Sequence, residues 1–286
     1  MTHPTLGIDH CFALVNDLDD AAAQFKDLGF TLSPKGVHSE AKGSANYTIM
    51  FPDDYFELLG VIKATPLNAP RREMLARSGE GLHAIACRIR NAEAAAQALA
   101  DLGIETYGLN SFERPVPLPD GSTGRAAFAT LSYAPDEVPE GIVFMCEHRT
   151  PETVWLSELL THENGACGLS AILALSADPE RDAPRFARLW ARGSVDAGAQ
   201  GTRIDTGEGS APLILMTPAL MAQSYPGIDL SRTAQGAFTA LRLKTTDMDA
   251  ATACARAAGI TPVPTSTGIA IAPEHTSGTV LEFVPA

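Results

Sequence analysis

Residues 7–30 read GIDHCFALVNDLDDAAAQFKDLGF, and the order of elements in this stretch decides the fold. Residues 6–15 alternate and are rich enough in β-branched and aromatic side chains for a half-buried strand. Asp17 can then cap a helix through LDDAAAQFKDL, and Gly29 supplies the C-terminal stop. Two more strands follow near Gly43–Phe51 and Tyr55–Ile62, separated by the turn signal Pro52-Asp53-Asp54. His10 is the anomaly. It sits in a strand that otherwise reads as core, on the face of Ile8, Phe12 and Leu14.

The same order restarts at residue 81. GLHAIACRIRNAEAAAQALADLGIE can be laid over residues 7–30 with one extra helical residue, so that AAAQ at 94–97 matches AAAQ at 21–24 and His83 falls on His10. A longer hairpin region and the strand GIVFMCE complete this second unit. Two fainter copies follow, GLSAILALSADPERDAPRFARLWA closing with LILMTP, and FTALRLKTTDMDAATACARAAGI closing with TVLEFV. Aligned on Asp17, Asp178 and Asp247, they place Ala171 and Ala240 at the histidine position. Four strand–helix–strand units in two pairs give an α+β chain of two domains, residues 1–152 and 153–286, joined through PETVWLSELLTHENGAC.

Composition narrows the function. A formal net charge of −13 without a basic patch disfavours nucleic acid and anionic membranes, and no apolar run suggests a membrane span. The five cysteines are odd in number, scattered and never arranged as CxxC, which fits free thiols in a reducing compartment. With no secretory signal visible in MTHPTLGIDH, the expectation is a cytoplasmic protein with a small-molecule partner, monomeric or homodimeric.

Glu57 in YFELL and Glu147 in VFMCEH lie on closing strands among apolar residues, where a carboxylate is costly unless something charged meets it. Two strand histidines and two strand glutamates share one explanation. If the first two units curl around a common cavity, His10, Glu57, His83 and Glu147 form an N2O2 donor set for one divalent ion such as Zn, Ni, Mn, Co or Fe. Alternatively, Glu57 pairs with a cation such as Lys35. Alternation turns Cys11 and Cys146 to the other face and leaves His148 on the surface.

In these residues, above all GIDHCFALVNDLDDAAAQFKDLGF, GVHSEAKGSAN and YFELLGV, the chain resembles the vicinal oxygen chelate superfamily, in its glyoxalase-like branch. The resemblance implies four βαβββ modules arranged as two half-open, curled mixed β-sheet barrels with helices outside. It places His10, Glu57, His83 and Glu147 where that superfamily keeps metal ligands, and leaves the second half a degenerate copy with only Glu282. His38, Asn46 and Arg114 are the expected substrate contacts, with Arg114 a candidate anchor for a carboxylate; Ser44 lies in the same segment as His38 and Asn46. His162 and Asn164, in HENGACG, suit a connector or a lid. The implied function is a metal-dependent lyase or isomerase acting on a substrate with vicinal oxygens through an enediolate, with Glu57 or Glu147 as general base. The alternatives are an Fe(II) extradiol-type dioxygenase and a non-catalytic small-molecule binder of the resistance type.

Overall fold

The computed structural model describes residues 2–119, 121–236 and 238–286. The first half runs β1 (Ile8–Val15), α1 (Leu18–Asp27), β2 (Gly36–Val37), β3 (Ser44–Met50), β4 (Tyr55–Val61), α2 (Ala69–Ser78), β5 (Gly81–Arg88), α3 (Ala92–Asp101), β6 (Thr106–Pro117), β7 (Thr123–Tyr133) and β8 (Ile142–His148). The second runs β9 (Ala166–Leu175), α4 (Pro179–Ala187), β10 (Val195–Gly198), β11 (Gly201–Ile204), β12 (Leu213–Met216), α5 (Pro218–Ser224), β13 (Phe238–Thr245), α6 (Met248–Ala257), β14 (Val263–Pro264), β15 (Ile269–Ile271) and β16 (Val280–Pro285). Among the described residues no helix is long and apolar enough to cross a membrane.

Each half is one curled, mixed, eight-stranded sheet. The orders are β2-β3-β4-β1-β5-β8-β7-β6 and β10-β11-β12-β9-β13-β16-β15-β14. In each half an antiparallel seam, β1 with β5 or β9 with β13, joins the modules, so module 1 pairs with module 2 and module 3 with module 4. An Asx side chain caps every module helix: Asp17, Asn91, Asp178 and Asp247 each accept from backbone N–H groups in the first turn. Gly29, at φ +83°, ends α1 in a conformation that side chains rarely adopt. The helix-covered faces of both halves form one core, from Phe25, Phe56, Leu82 and Ile85 to Ile172, Phe186 and Phe283. The connector staples the halves: His162 bonds the Met50 carbonyl and accepts from Thr31 N, and Asn164 Nδ2 donates to the Leu28 carbonyl.

Helix caps and ends fix how the first two modules correspond. Asp17 matches Asn91 and Leu28 matches Leu102, an unbroken offset of 74 residues. The AAAQ match needs 73, and so does His10 on His83. At the observed offset His10 corresponds to Ala84, and His83 to Asp9. The seam agrees. Its pairing slips by one residue at Asp9 in β1 and at His83 in β5, so each is the extra residue of a β-bulge. Strands β9 and β13 carry the same slip at Ser170 and Thr239.

Candidate functional site

The bulge in β1 builds the site. Ile8 and Cys11 stay in the core, while the inserted residue lets Asp9 and His10 meet side chain to side chain. His10 Nδ1 donates to Asp9 Oδ1 (2.8 Å), His148 Nε2 donates to the same oxygen (2.9 Å), and Arg88 Nε donates to Oδ2 (2.9 Å). Burial of Asp9, complete at 0% exposure, works against its charge, yet His148 and His10 hold the carboxyl well below the usual carboxylate range. With Nδ1 committed to Asp9, His10 presents Nε2 to a cavity of about 200 Å³. Tyr55, opposite His10 on β4, stacks on the imidazole at 4.3 Å between centroids, and Phe144 meets it edge-on at 5.6 Å.

Glu57 faces the same cavity, its Oε2 3.8 Å from His10 Nε2 and its Oε1 accepting from Asn46 Nδ2 at 2.9 Å. Around them stand Lys42, Arg71 and Arg114. Lys42 lies 3.1 Å from the centre of the Phe112 ring, and burial together with Arg71 lowers its pKa to about 8. Burial also lowers Arg71 and Arg114, with Glu57 opposing. His38, 2.8 Å from Ser44 Oγ, is pushed down to about 3 by burial, Lys42 and Arg114, and is neutral near pH 7.

Thus His10 and Glu57 share one cavity with His38, Asn46 and Arg114. The other two residues of the expected donor set lie elsewhere. His83 Nε2 donates to the Gly79 carbonyl (2.8 Å), because it is a bulge residue and not the counterpart of His10. Glu147 Oε2 accepts from Ala92 N (2.8 Å) at the start of α3, and Oε1 accepts from Arg149 Nε (3.0 Å). Strand pairing gives the reason: Phe12 lies opposite Glu57, and its counterpart Ala86 lies opposite Phe144. Phe144 therefore occupies the place of Glu57, and Glu147 that of Gly60, which packs against the first residue of α1. The convergence of four ligands is corrected to a convergence of two. His148, expected on the surface, turns its side chain in against Asp9, where it is 7% exposed.

A family model for glyoxalase-like domains matches residues 8–190. The chain belongs to the glyoxalase-like domain family. Solved structures share the glyoxalase-like fold. A hypothetical protein from Staphylococcus aureus is 13% identical at a TM-score of 0.67, covering 98% of this chain and 99% of that one. A mutant 4-hydroxymandelate synthase from Streptomyces coelicolor is 11% identical at 0.61, covering 99% and 93%. A variant homoprotocatechuate 2,3-dioxygenase from B. fuscum is 14% identical at 0.58, covering 100% and 72%. A search of curated proteins gives no match.

The metal ion implied by the resemblance finds a poor donor set in this glyoxalase-like cavity. The third and fourth places belong to Ala84 and Phe144, and three cations line the walls around one glutamate. Asp9, His10 and His148 do bring three ligand atoms within 4.8 Å of one another, a grouping able to hold a metal ion. There an ion would replace two ring protons and share the carboxylate with Arg88. In the second half Ala171 and Ala240 stand at the histidine place, and Ile214 and Glu282 at the glutamate place. Glu282 is consumed internally, accepting from Arg242 Nε (2.5 Å), Tyr225 Oη (2.7 Å), Thr265 and Thr267.

Sequence reasoning missed Asp9, Lys42, Arg71 and His148. Strict alternation hides Asp9 and His148. Lys42 was in plain view beside His38 in GVHSEAKGSAN, whereas Arg71 reaches the cavity from a helix whose sequence carries no motif.

Proposed function

We propose that this protein is an isomerase or lyase that moves a proton on a small carbonyl compound, with His10 Nε2 as the base. One observation carries the reading: a histidine whose Nδ1 is held by a buried carboxylate and whose Nε2 faces a cavity lined by cations. Asp9 selects the tautomer and stabilises the imidazolium that forms when Nε2 takes a proton from carbon. Negative charge then develops on the carbonyl oxygen, and the cationic wall stabilises it. Glu57, its Oε2 3.8 Å from His10 Nε2, takes the proton from the imidazolium and returns it at the neighbouring carbon or oxygen.

The test is solvent exchange. Small α-hydroxyaldehydes and α-hydroxyketones, incubated with the protein in deuterium oxide, should exchange the hydrogen on the carbon next to the carbonyl. His10→Gln should slow the exchange by about 100-fold or more. Equal exchange by wild type and His10→Gln would refute the proposal, and binding without exchange would favour the non-catalytic binder. A divalent ion on Asp9, His10 and His148 is the second reading, favoured by the closeness of their ligand atoms. Elemental analysis showing about one ion per chain, lost in His148→Ala, would establish it.

A further inference from the structure

Two features of the cavity exceed what proton transfer at His10 requires. The first is a surplus of positive charge. Lys42, Arg71 and Arg114 line the walls, and none of the three lies within 4.0 Å of a described carboxylate. Ordinary surface cations are solvated, and ordinary buried ones are paired. These three are half-buried and have only Glu57 to share.

The second is an acceptor that nothing in the protein satisfies. Asn46 is 7% exposed, and its Oδ1 is buried with no hydrogen-bond partner among the described residues. The orientation of the amide is fixed, because Nδ2 must face the Glu57 carboxylate; the reverse would set two acceptors together. Oδ1 therefore needs an O–H or N–H donor. It also lies beside Arg114: a side chain at Gly36 would strike both groups, so the bare Cα of Gly36 makes room for them. An anion-binding cation and a donor-seeking oxygen thus lie within one functional group's breadth of each other. Phe112 and Phe128, stacked at 5.3 Å, supply an apolar wall in the same cavity.

We propose that the ligand of this cavity is an oxyanion with a hydroxyl on the adjacent carbon and an aromatic or apolar body. Lys42, Arg71 and Arg114 hold the oxyanion, Asn46 Oδ1 accepts a hydrogen bond from the hydroxyl, and Phe112 and Phe128 flank the body. This names the substrate class for the function proposed above and rests on the same cavity, but it concerns recognition and not the proton step. Carboxylate and phosphate share the required chemistry.

Calorimetric titration of the whole protein separates the terms. The probes are 3-phenyllactate, its methyl ester, 3-phenylpropionate and phenyl phosphate. 3-Phenyllactate should bind at least about tenfold tighter than its uncharged ester and several-fold tighter than 3-phenylpropionate, which lacks the hydroxyl. The ratio of 3-phenylpropionate to phenyl phosphate, both without the hydroxyl, decides which oxyanion is preferred. Arg71→Met and Arg114→Met keep stem length and remove charge, and each should weaken the anions about tenfold while sparing the ester. His10→Gln should retain the binding, so loss of proton exchange with binding intact leaves this proposal standing whatever becomes of His10. Equal affinity for acid and ester overturns it, as does unchanged anion binding by both arginine variants. Failure of both anions to bind wild type at millimolar concentration overturns it too.

Discussion

Glu147→Ala tests the register argument most sharply, because the two roles open to Glu147 give opposite results. As a ligand its loss would cost function and leave the fold alone. In the structure its Oε2 accepts from Ala92 N–H, in the first turn of α3 and fully buried. Stranding that donor costs about 1–3 kcal/mol. Removing a negative charge from a helix N-terminus adds about 0.3–1 kcal/mol. Arg149 also loses its partner, but it is half-exposed and adds little. The total is about 1–4 kcal/mol, which for a chain of this size lowers the unfolding midpoint by roughly 3–8 °C. Glu147→Gln keeps an acceptor and gives up the charge, so it should fall by about a third as much. Differential scanning calorimetry, run with ligand titration and elemental analysis on the same samples, provides the assay. A Glu147→Ala protein of wild-type stability that has lost ligand binding or a bound ion would show that the carboxylate works in the cavity and that the offset of 74 residues is wrong.

Anion binding should depend on pH through Lys42: with its pKa lowered to about 8, its charge is present below that value and lost above it, so affinity for 3-phenyllactate should hold from pH 6 to 7.5 and fall above 8. Lys42→Met should bind more weakly and flatten that fall; an unchanged profile would remove Lys42 from the binding wall. Asp54 predicts a stability trend, since burial raises its carboxyl from 3.8 to about 6 while its Oδ1 accepts from Leu169 N (3.0 Å) across the two halves. Between those values the unfolded chain releases a proton that the folded chain keeps, so this group's contribution declines as pH rises from about 4 to 6 and is level beyond. Asp54→Asn, which retains the acceptor, should stabilise the protein above pH 6 by at most about 3 kcal/mol and remove that decline in urea titrations; a variant that is less stable at pH 7 would contradict the assignment.

The paired-module architecture was legible because its signals are local. Asp17, Asp178 and Asp247 announce helix starts, Gly29 and Gly103 announce ends, and the order of elements recurs. The site was half legible. His10 and Glu57 stand out as polar residues in core strands, and they do share a cavity. His83 misled through repetition. The echoing AAAQ invited a shift of one residue, and in a strand one residue exchanges the two faces. Glu147 misled for another reason: both faces of β8 carry apolar side chains, one lining the cavity and one under α3, so an apolar context cannot tell a cavity carboxylate from a helix anchor. Lys42 and Arg71 carry no pattern of their own. Only tertiary folding shows that a loop and the α2 helix bring their charges beside Glu57.

All four opening strands insert a residue at the same place, and all four inserted residues are polar: Asp9, His83, Ser170 and Thr239. The distortion is therefore a property of the repeated unit, and the imidazole beside it belongs to one copy. The scaffold offers four equivalent sockets and has furnished one of them. A histidine introduced at Ala84, Ala171 or Ala240 would arrive in a backbone already bent to receive it, with a hydroxyl neighbour, Ser170 or Thr239, at two of the three. Anyone wishing to move this chemistry to the other half of the molecule would begin there, and would first have to break the Arg242–Glu282 pair that fills the place of the cavity.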